Sequence, residues 1–167
     1  GDSAKEAQTA FDRTVAHDAP AIACSKGCSH CCRNFVSASP PDILRVASYI
    51  RDNLEADFAA AFNRICAAED NTRNVSQDVR YKEHQPCALL IDGACSVYEA
   101  RPMACRGWAS MDVRPCENWE DDIPVPKVFR ESRPAIDHVL RAALKHHKRD
   151  KRSYELNHAV RIALEDP

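Results

Sequence analysis

Apolar residues recur along this chain at the helical period in five stretches. Ala7, Ala10, Phe11 and Val15 follow Ser3 and Glu6, which have the spacing of a capping box, so the pattern predicts an amphipathic helix over Ser3 to His17 that stops near Pro20. Ser39, followed by Pro40, Pro41 and Asp42, is a strong helix start, and Ile43, Val46, Ala47 and Ile50 then form a stripe, predicting a helix over Pro40 to Asn53. Leu54, Phe58, Ala61, Phe62 and Ile65 continue the period. They predict a third helix from about Leu54 to Ala68, docked on the second and ending before the polar stretch Asp70 to Asn74. Ile136, Val139, Leu140, Ala143 and Leu144 mark a fourth helix after Pro134, and Leu156, Ala159, Val160, Ala163 and Leu164 a fifth after Ser153.

The middle of the chain has a different rhythm. In CALLIDGACSVY two short apolar runs flank Asp92-Gly93, a dipeptide suited to a type I′ turn, so Ala88 to Tyr98 is predicted to be a small hairpin. Met111 to Val125 is rich in proline and acidic residues without a sustained period and reads as loop. The expected fold class is mainly α: a small helical domain with one short hairpin and long cysteine-bearing connections. One domain over residues 1–167 is expected, with a cysteine core at about 24–116 and a C-terminal helical pair at about 133–165.

Charge narrows the function classes. Lys plus Arg number 23 against 25 Asp plus Glu, a net charge of -2, so the whole molecule has no pull toward nucleic acid or an anionic membrane. No apolar run has the length to span a bilayer, and GDSAKEAQTAFDR lacks the basic start and apolar stretch of a signal peptide. The expected location is cytoplasmic. A nucleophile elbow, a phosphate loop and a dinucleotide fingerprint are all missing from the sequence, which argues against the common enzyme classes.

Nine cysteines remain to be explained. Disulfide frameworks belong to short exported chains with an even count, and the adjacent Cys31 and Cys32 are poorly placed to bridge each other. Cys24, Cys28, Cys31 and Cys32 instead form C-x3-C-x2-C-C, a spacing that lets thiolates converge on one centre. Cys87, Cys95 and Cys105 form a second group, with Cys116 following. If the hairpin turn has two residues, Leu90 faces Cys95, and strand alternation puts Cys87 on the opposite face unless pairing ends before it or a bulge intervenes. Tetrahedral sulfur coordination suits both zinc and iron. The cofactor expected is therefore an iron-sulfur cluster, with the 4Fe-4S type favoured, or zinc.

The joint pattern ACSKGCSHCC and PCALLIDGACSVYEARPMACRGW resembles the YkgJ-type cysteine-cluster family, a zinc- or iron-chelating domain, from about Cys24 to Trp108. That resemblance implies Cys24, Cys28, Cys31, Cys32, Cys87, Cys95 and Cys105 as metal ligands, with Arg101 and Arg106 as their neighbours. The family usually has Pro-Phe-Leu after the equivalent of Cys87, where this chain reads Ala88-Leu89-Leu90, a departure that should leave the site intact. Cys116 would bring the sulfurs to eight, enough for two four-sulfur sites or one larger cluster. The flagellin lysine methylases are a related group, which keeps a cluster-dependent enzyme acting on protein side chains as an alternative. C-x3-C-x2-C is also the spacing of radical S-adenosylmethionine enzymes, but their alternating strands and helices are missing here.

Other residues are weighed against plainer roles. His30, inside the first group, is expected to sit beside the ligands and not among them. Arg101 and Arg106 either offset the charge of the thiolates or pair with nearby carboxylates such as Glu99. Cys66, after Ile65 on a helical apolar face, is expected to be a packing residue. His146 and His147 are adjacent on a helix and do not face one way, and the basic run Lys145 to Arg152 reads as solvated surface and not as a nucleic-acid platform.

Overall fold

The computed structural model describes residues 3–18, 20–25 and 27–165. Its helices are α1 (Ser3–Asp18), α2 (Pro40–Asn53), α3 (Phe58–Thr72), α4 (Gln77–Glu83), α5 (Met103–Arg106), α6 (Arg114–Glu117), α7 (Lys127–His146) and α8 (Leu156–Glu165). Two antiparallel pairs of strands complete it. β1 (Ser37–Ala38) joins β4 (Tyr154–Glu155), and β2 (Leu90–Ile91) joins β3 (Ala94–Cys95). The fold is mainly α, and among the described residues no helix is long and apolar enough to cross a membrane.

The sequence starts α2 in the expected way. Ser39 accepts from the Asp42 N–H across the first turn, while Pro40 and Pro41 occupy positions whose N–H groups would be orphaned anyway. The stripe Ile43, Val46, Ala47 and Ile50 then faces Ala61 and Ile65 of α3 and Leu156, Val160 and Leu164 of α8 in the larger core. A second core joins Phe11 of α1, Met103 of α5, and Val128 and Phe129 of α7. Phe11 meets Phe129 edge to face at 5.4 Å, an arrangement that aromatic quadrupoles favour.

Several boundaries depart from expectation, each for a physical reason. α7 begins at Lys127 and runs through Pro134, because Val128 and Phe129 are buried in the second core and their burial outweighs one missing N–H. α3 starts after a 3-10 turn at Glu55–Asp57 and continues to Thr72, into the stretch expected to be loop. Its extension is held by Glu69, whose buried carboxylate accepts from Arg73 one turn on, and from His158 and Arg161 of α8. α4 has too few turns to show a period, and its visible signal is Ser76, which accepts from the Val79 N–H. α6 lies in a segment expected to be loop throughout. The β1–β4 ladder, only two residues on each side, left no pattern to read.

Two outcomes follow. Phe11→Ala should cost about 3–5 kcal/mol in denaturant unfolding, because it empties the centre of the second core. Arg73, with His158 and Arg161, holds the Glu69 carboxyl at about 2 against an ordinary 4.5. A depressed carboxylate adds stability that is fully present above the unfolded value and lost as pH falls through the folded one. Unfolding midpoints should therefore decline between about 4.5 and 2, and Glu69→Gln should be less stable at neutral pH and flatter across that window.

Candidate metal centre

The first cysteine segment is wound by consecutive tight turns. Cys28 donates its N–H to the Ser25 carbonyl at 3.0 Å, Gly27 takes a φ of +94° between them, and Cys32 donates to Ser29 at 3.0 Å. Cys31 and Cys32 lie in a 3-10 turn, His30–Arg33. These turns fold four thiols back on one another within nine residues. Their neighbours then tie them to the rest of the chain. The Cys87 N–H donates to the Cys32 carbonyl at 2.7 Å, and Ala23 donates to the Ser110 carbonyl at 2.8 Å.

The hairpin has the predicted turn, with φ of +48° at Asp92 and +76° at Gly93, and Leu90 pairs with Cys95. The ladder ends at Leu90, and beyond it one cross-strand bond remains, from the Ser96 N–H to the Leu89 carbonyl at 2.9 Å. The Leu90 N–H turns back to the Cys87 carbonyl at 3.0 Å, so Cys87 is released from the alternation that would have sent it to the far face. The hairpin turn also comes close to the first segment, since a Cβ built on Gly93 would lie 3.8 Å from the Gly27 carbonyl oxygen. Cys105 rides on α5, which starts at the buried Pro102, and Cys116 rides on α6, which touches the 3-10 turn of Cys31 and Cys32.

Electrostatic coupling runs between thiols of the two groups. The Cys31 thiol is pushed up first by its hydrogen bond with Cys32, then by burial and by the Cys32 charge. Burial pushes up Cys28, Cys95, Cys105 and Cys116, and carries Cys87 to about 11. The charge of Cys31 adds to the rise at each of these five. Cys24 and Cys28 also act on Cys116, while Cys87 and Cys95 act on Cys105. Cys31 thus joins two sets of sulfurs.

Hydrogen-bond donors and one cation oppose these rises. Backbone N–H groups of His30, Leu89 and Val97 favour the ionised forms of Cys28, Cys87 and Cys95. Ser110 donates its N–H to the Cys24 sulfur at 3.4 Å. Arg101 lowers Cys31, Cys95 and Cys105 by its charge, and its guanidinium lies 4.1 Å from the Tyr98 ring centre. Its Nε is buried with no hydrogen-bond partner among the described residues, and none of their carboxylates forms an ion pair with it. Arg106 has a separate task, pairing with Asp12 of α1 at 2.8 Å and donating to the Glu99 carbonyl at 3.0 Å.

Sequence reasoning missed Ser110 and Tyr98. Neither has a signal beyond its nearness to the cysteines along the chain. Cys66 sits half-buried on α3 next to the buried Ile65. His30 reaches Cys28 through its main chain. The donor set is of the kind that thiophilic ions take, but among the described residues no three Cys, His, Asp or Glu side chains stand in a ready-made coordination shell.

A family model described as "CxxCxxCC: Putative zinc- or iron-chelating domain" matches residues 23–123, a span that holds all nine cysteines. No curated protein and no solved structure matches the chain.

The raised thiols set a pH dependence. A group with a raised folded value adds stability that is fully present below its unfolded value and lost as pH rises through the folded one. The metal-free protein should lose stability between about 9 and 11, the interval set by Cys87, and Cys87→Ser should lose less. Each thiol that ligates must shed its proton, so metal affinity should rise with pH and loading should release protons into weak buffer. A pH-independent affinity would contradict thiolate ligation.

Proposed function

Because the chain belongs to the CxxCxxCC family of zinc- or iron-chelating domains, we propose that it holds an iron-sulfur cluster, of the 4Fe-4S type, on thiolates drawn from Cys24, Cys28, Cys31, Cys32, Cys87, Cys95, Cys105 and Cys116. The observation that carries this reading is the main-chain link between the two cysteine groups, where the Cys87 N–H donates to the Cys32 carbonyl at 2.7 Å and the hairpin turn at Gly93 lies against Gly27. One tetrahedral ion needs four sulfurs, and eight cysteines on linked segments support a polynuclear centre or a pair of sites. When bound, such a cluster supplies one-electron chemistry at a potential set by its surroundings. Arg101 would offset the negative charge of the ligands, and the N–H groups aimed at sulfur would raise the potential further.

The reading is of a binding protein for electron transfer, sensing or delivery. The cavity beside Cys87, lined also by Asn34, Arg80, Glu155 and Asn157, has room for about 30 Å³, a water molecule and not a substrate. Its size supports binding over chemistry on a substrate at that flank. All nine cysteines are free, which suits a reducing compartment, and we place the protein in the cytoplasm. The basic stretch after α7 is read as solvated surface, with Arg152 engaged by Asp150 at 3.0 Å.

A second reading is a structural zinc site. Residues 20–25 and 27–29 have no helix or strand, and a metal staple would supply the folding free energy that such segments lack.

Anaerobic purification with metal and sulfide analysis separates the two. The iron-sulfur reading expects a brown protein with broad absorbance near about 400 nm and matched iron and sulfide. A colourless protein with stoichiometric zinc selects the second reading, and a protein that takes up neither metal rejects both. Cys31→Ser should lose the metal, whereas Cys66→Ser should retain it.

A further inference from the structure

Asp42 is a buried carboxylate, 3% exposed, with no part in the sulfur cluster. It lies in the first turn of α2, yet three elements converge on it. Ser39 donates its hydroxyl to Oδ2 at 2.8 Å, Gln8 of α1 donates to Oδ1 at 3.1 Å, and the Met103 N–H donates to Oδ1 at 3.3 Å. Met103 opens α5, the single turn that carries Cys105. A helix of four residues cannot hold itself, since its first N–H groups have no partners within it. Asp42 satisfies one of these donors and anchors the turn.

The other end of α5 is gripped by the same neighbour. Arg106 pairs with Asp12 of α1, one helical turn from Gln8, and both Arg106 and Arg45 donate to the Glu99 carbonyl, at 3.0 and 2.9 Å. Arg45 also donates to Gln8 Oε1 at 3.0 Å, which fixes the Gln8 amide for its bond to Asp42. On the outer side Gly107 admits the Arg133 side chain of α7, where a Cβ would come within 2.7 Å of it. The position of α5 is therefore set from outside it, by a polar chain running Asp42–Gln8–Arg45–Glu99–Arg106–Asp12.

We infer that Asp42 is the positioning residue of the centre: through the Met103 N–H it fixes the Cys105 sulfur in reach of Cys87 and Cys95, and α1 serves as the brace that holds Asp42 and Arg106 in register. This inference rests on the metal-binding reading for its consequence, but the hold on Cys105 is a property of the polypeptide. Loss of Asp42 frees one sulfur and leaves the others in place. Removal of a group that orients a ligand typically weakens metal retention by about ten- to a hundredfold.

The test uses the full chain as wild type, Asp42→Ala and Asp12→Ala, the last a half-exposed site whose loss spares the core. In the reduced, metal-free protein, alkylation of each cysteine is followed by peptide mass mapping. The expected result is a rise of about tenfold at Cys105 in both variants, with Cys87, Cys95 and Cys116 within about twofold of wild type. Zinc or ferrous iron loaded on the same proteins should pass to a chelator about ten- to a hundredfold faster from Asp42→Ala than from wild type. If Asp42→Ala does not fold, Asp12→Ala decides the matter alone. A wild type that takes up neither metal, with Cys105 selectively uncovered, rejects the metal reading and keeps the hold of Asp42 on α5. Metal uptake accompanied by a uniform rise at all cysteines, or by no rise, overturns the inference.

Discussion

Sulfur ligands have to be ionised to bind a metal, and buried to bind it without competition from water, and these two demands oppose each other. Burial favours the protonated thiol, as it does here at Cys28, Cys87, Cys95, Cys105 and Cys116. Gathering several such groups adds mutual repulsion between their ionised forms. Much of the surrounding structure is arranged against that repulsion. Main-chain N–H groups point at sulfur, and the Arg101 guanidinium lies against the Tyr98 ring, with no ion pair to a carboxylate among the described residues. An acidic partner would have cancelled the charge that the sulfurs need.

The scaffold works by flanking a poorly structured region with two cores. α2, α3 and α8 form one, and α1, α5 and α7 the other. Cys87 and Cys95 pack against the first, and Cys24 against the second. The loops need little regular structure of their own, because their anchors are elsewhere. A few main-chain bonds, from Cys87 to Cys32 and from Ala23 to Ser110, then draw the two sets of thiols toward one another.

The amphipathic helices were legible because their apolar stripes repeat over three or more turns, and α2 was read to the residue from its cap and its two prolines. The hairpin turn was equally plain from Asp92-Gly93. α4, α6 and the β1–β4 ladder were invisible, since elements of two to seven residues leave no period to detect. Pro134 misled the reading of α7, because the helix start read at that proline was overruled by burial of Val128 and Phe129 upstream of it. At the centre, the cysteines announced themselves by number and spacing. The roles of Arg101 and Arg106 were beyond the sequence, which places both beside Cys105 and cannot say which one turns toward sulfur and which toward α1.

The short ladder between Ser37–Ala38 and Tyr154–Glu155 bears on how the chain matures. Leu156 donates to the Val36 carbonyl just past the first cysteine segment, and Val128 and Phe129 back the core on which Cys24 rests. The supports of the earliest cysteines are thus supplied by residues 127–156. On a ribosome the first thiols emerge before residues 127–156, so a nascent chain displays its sulfurs without these supports, and the full arrangement is reached only after those residues have been made.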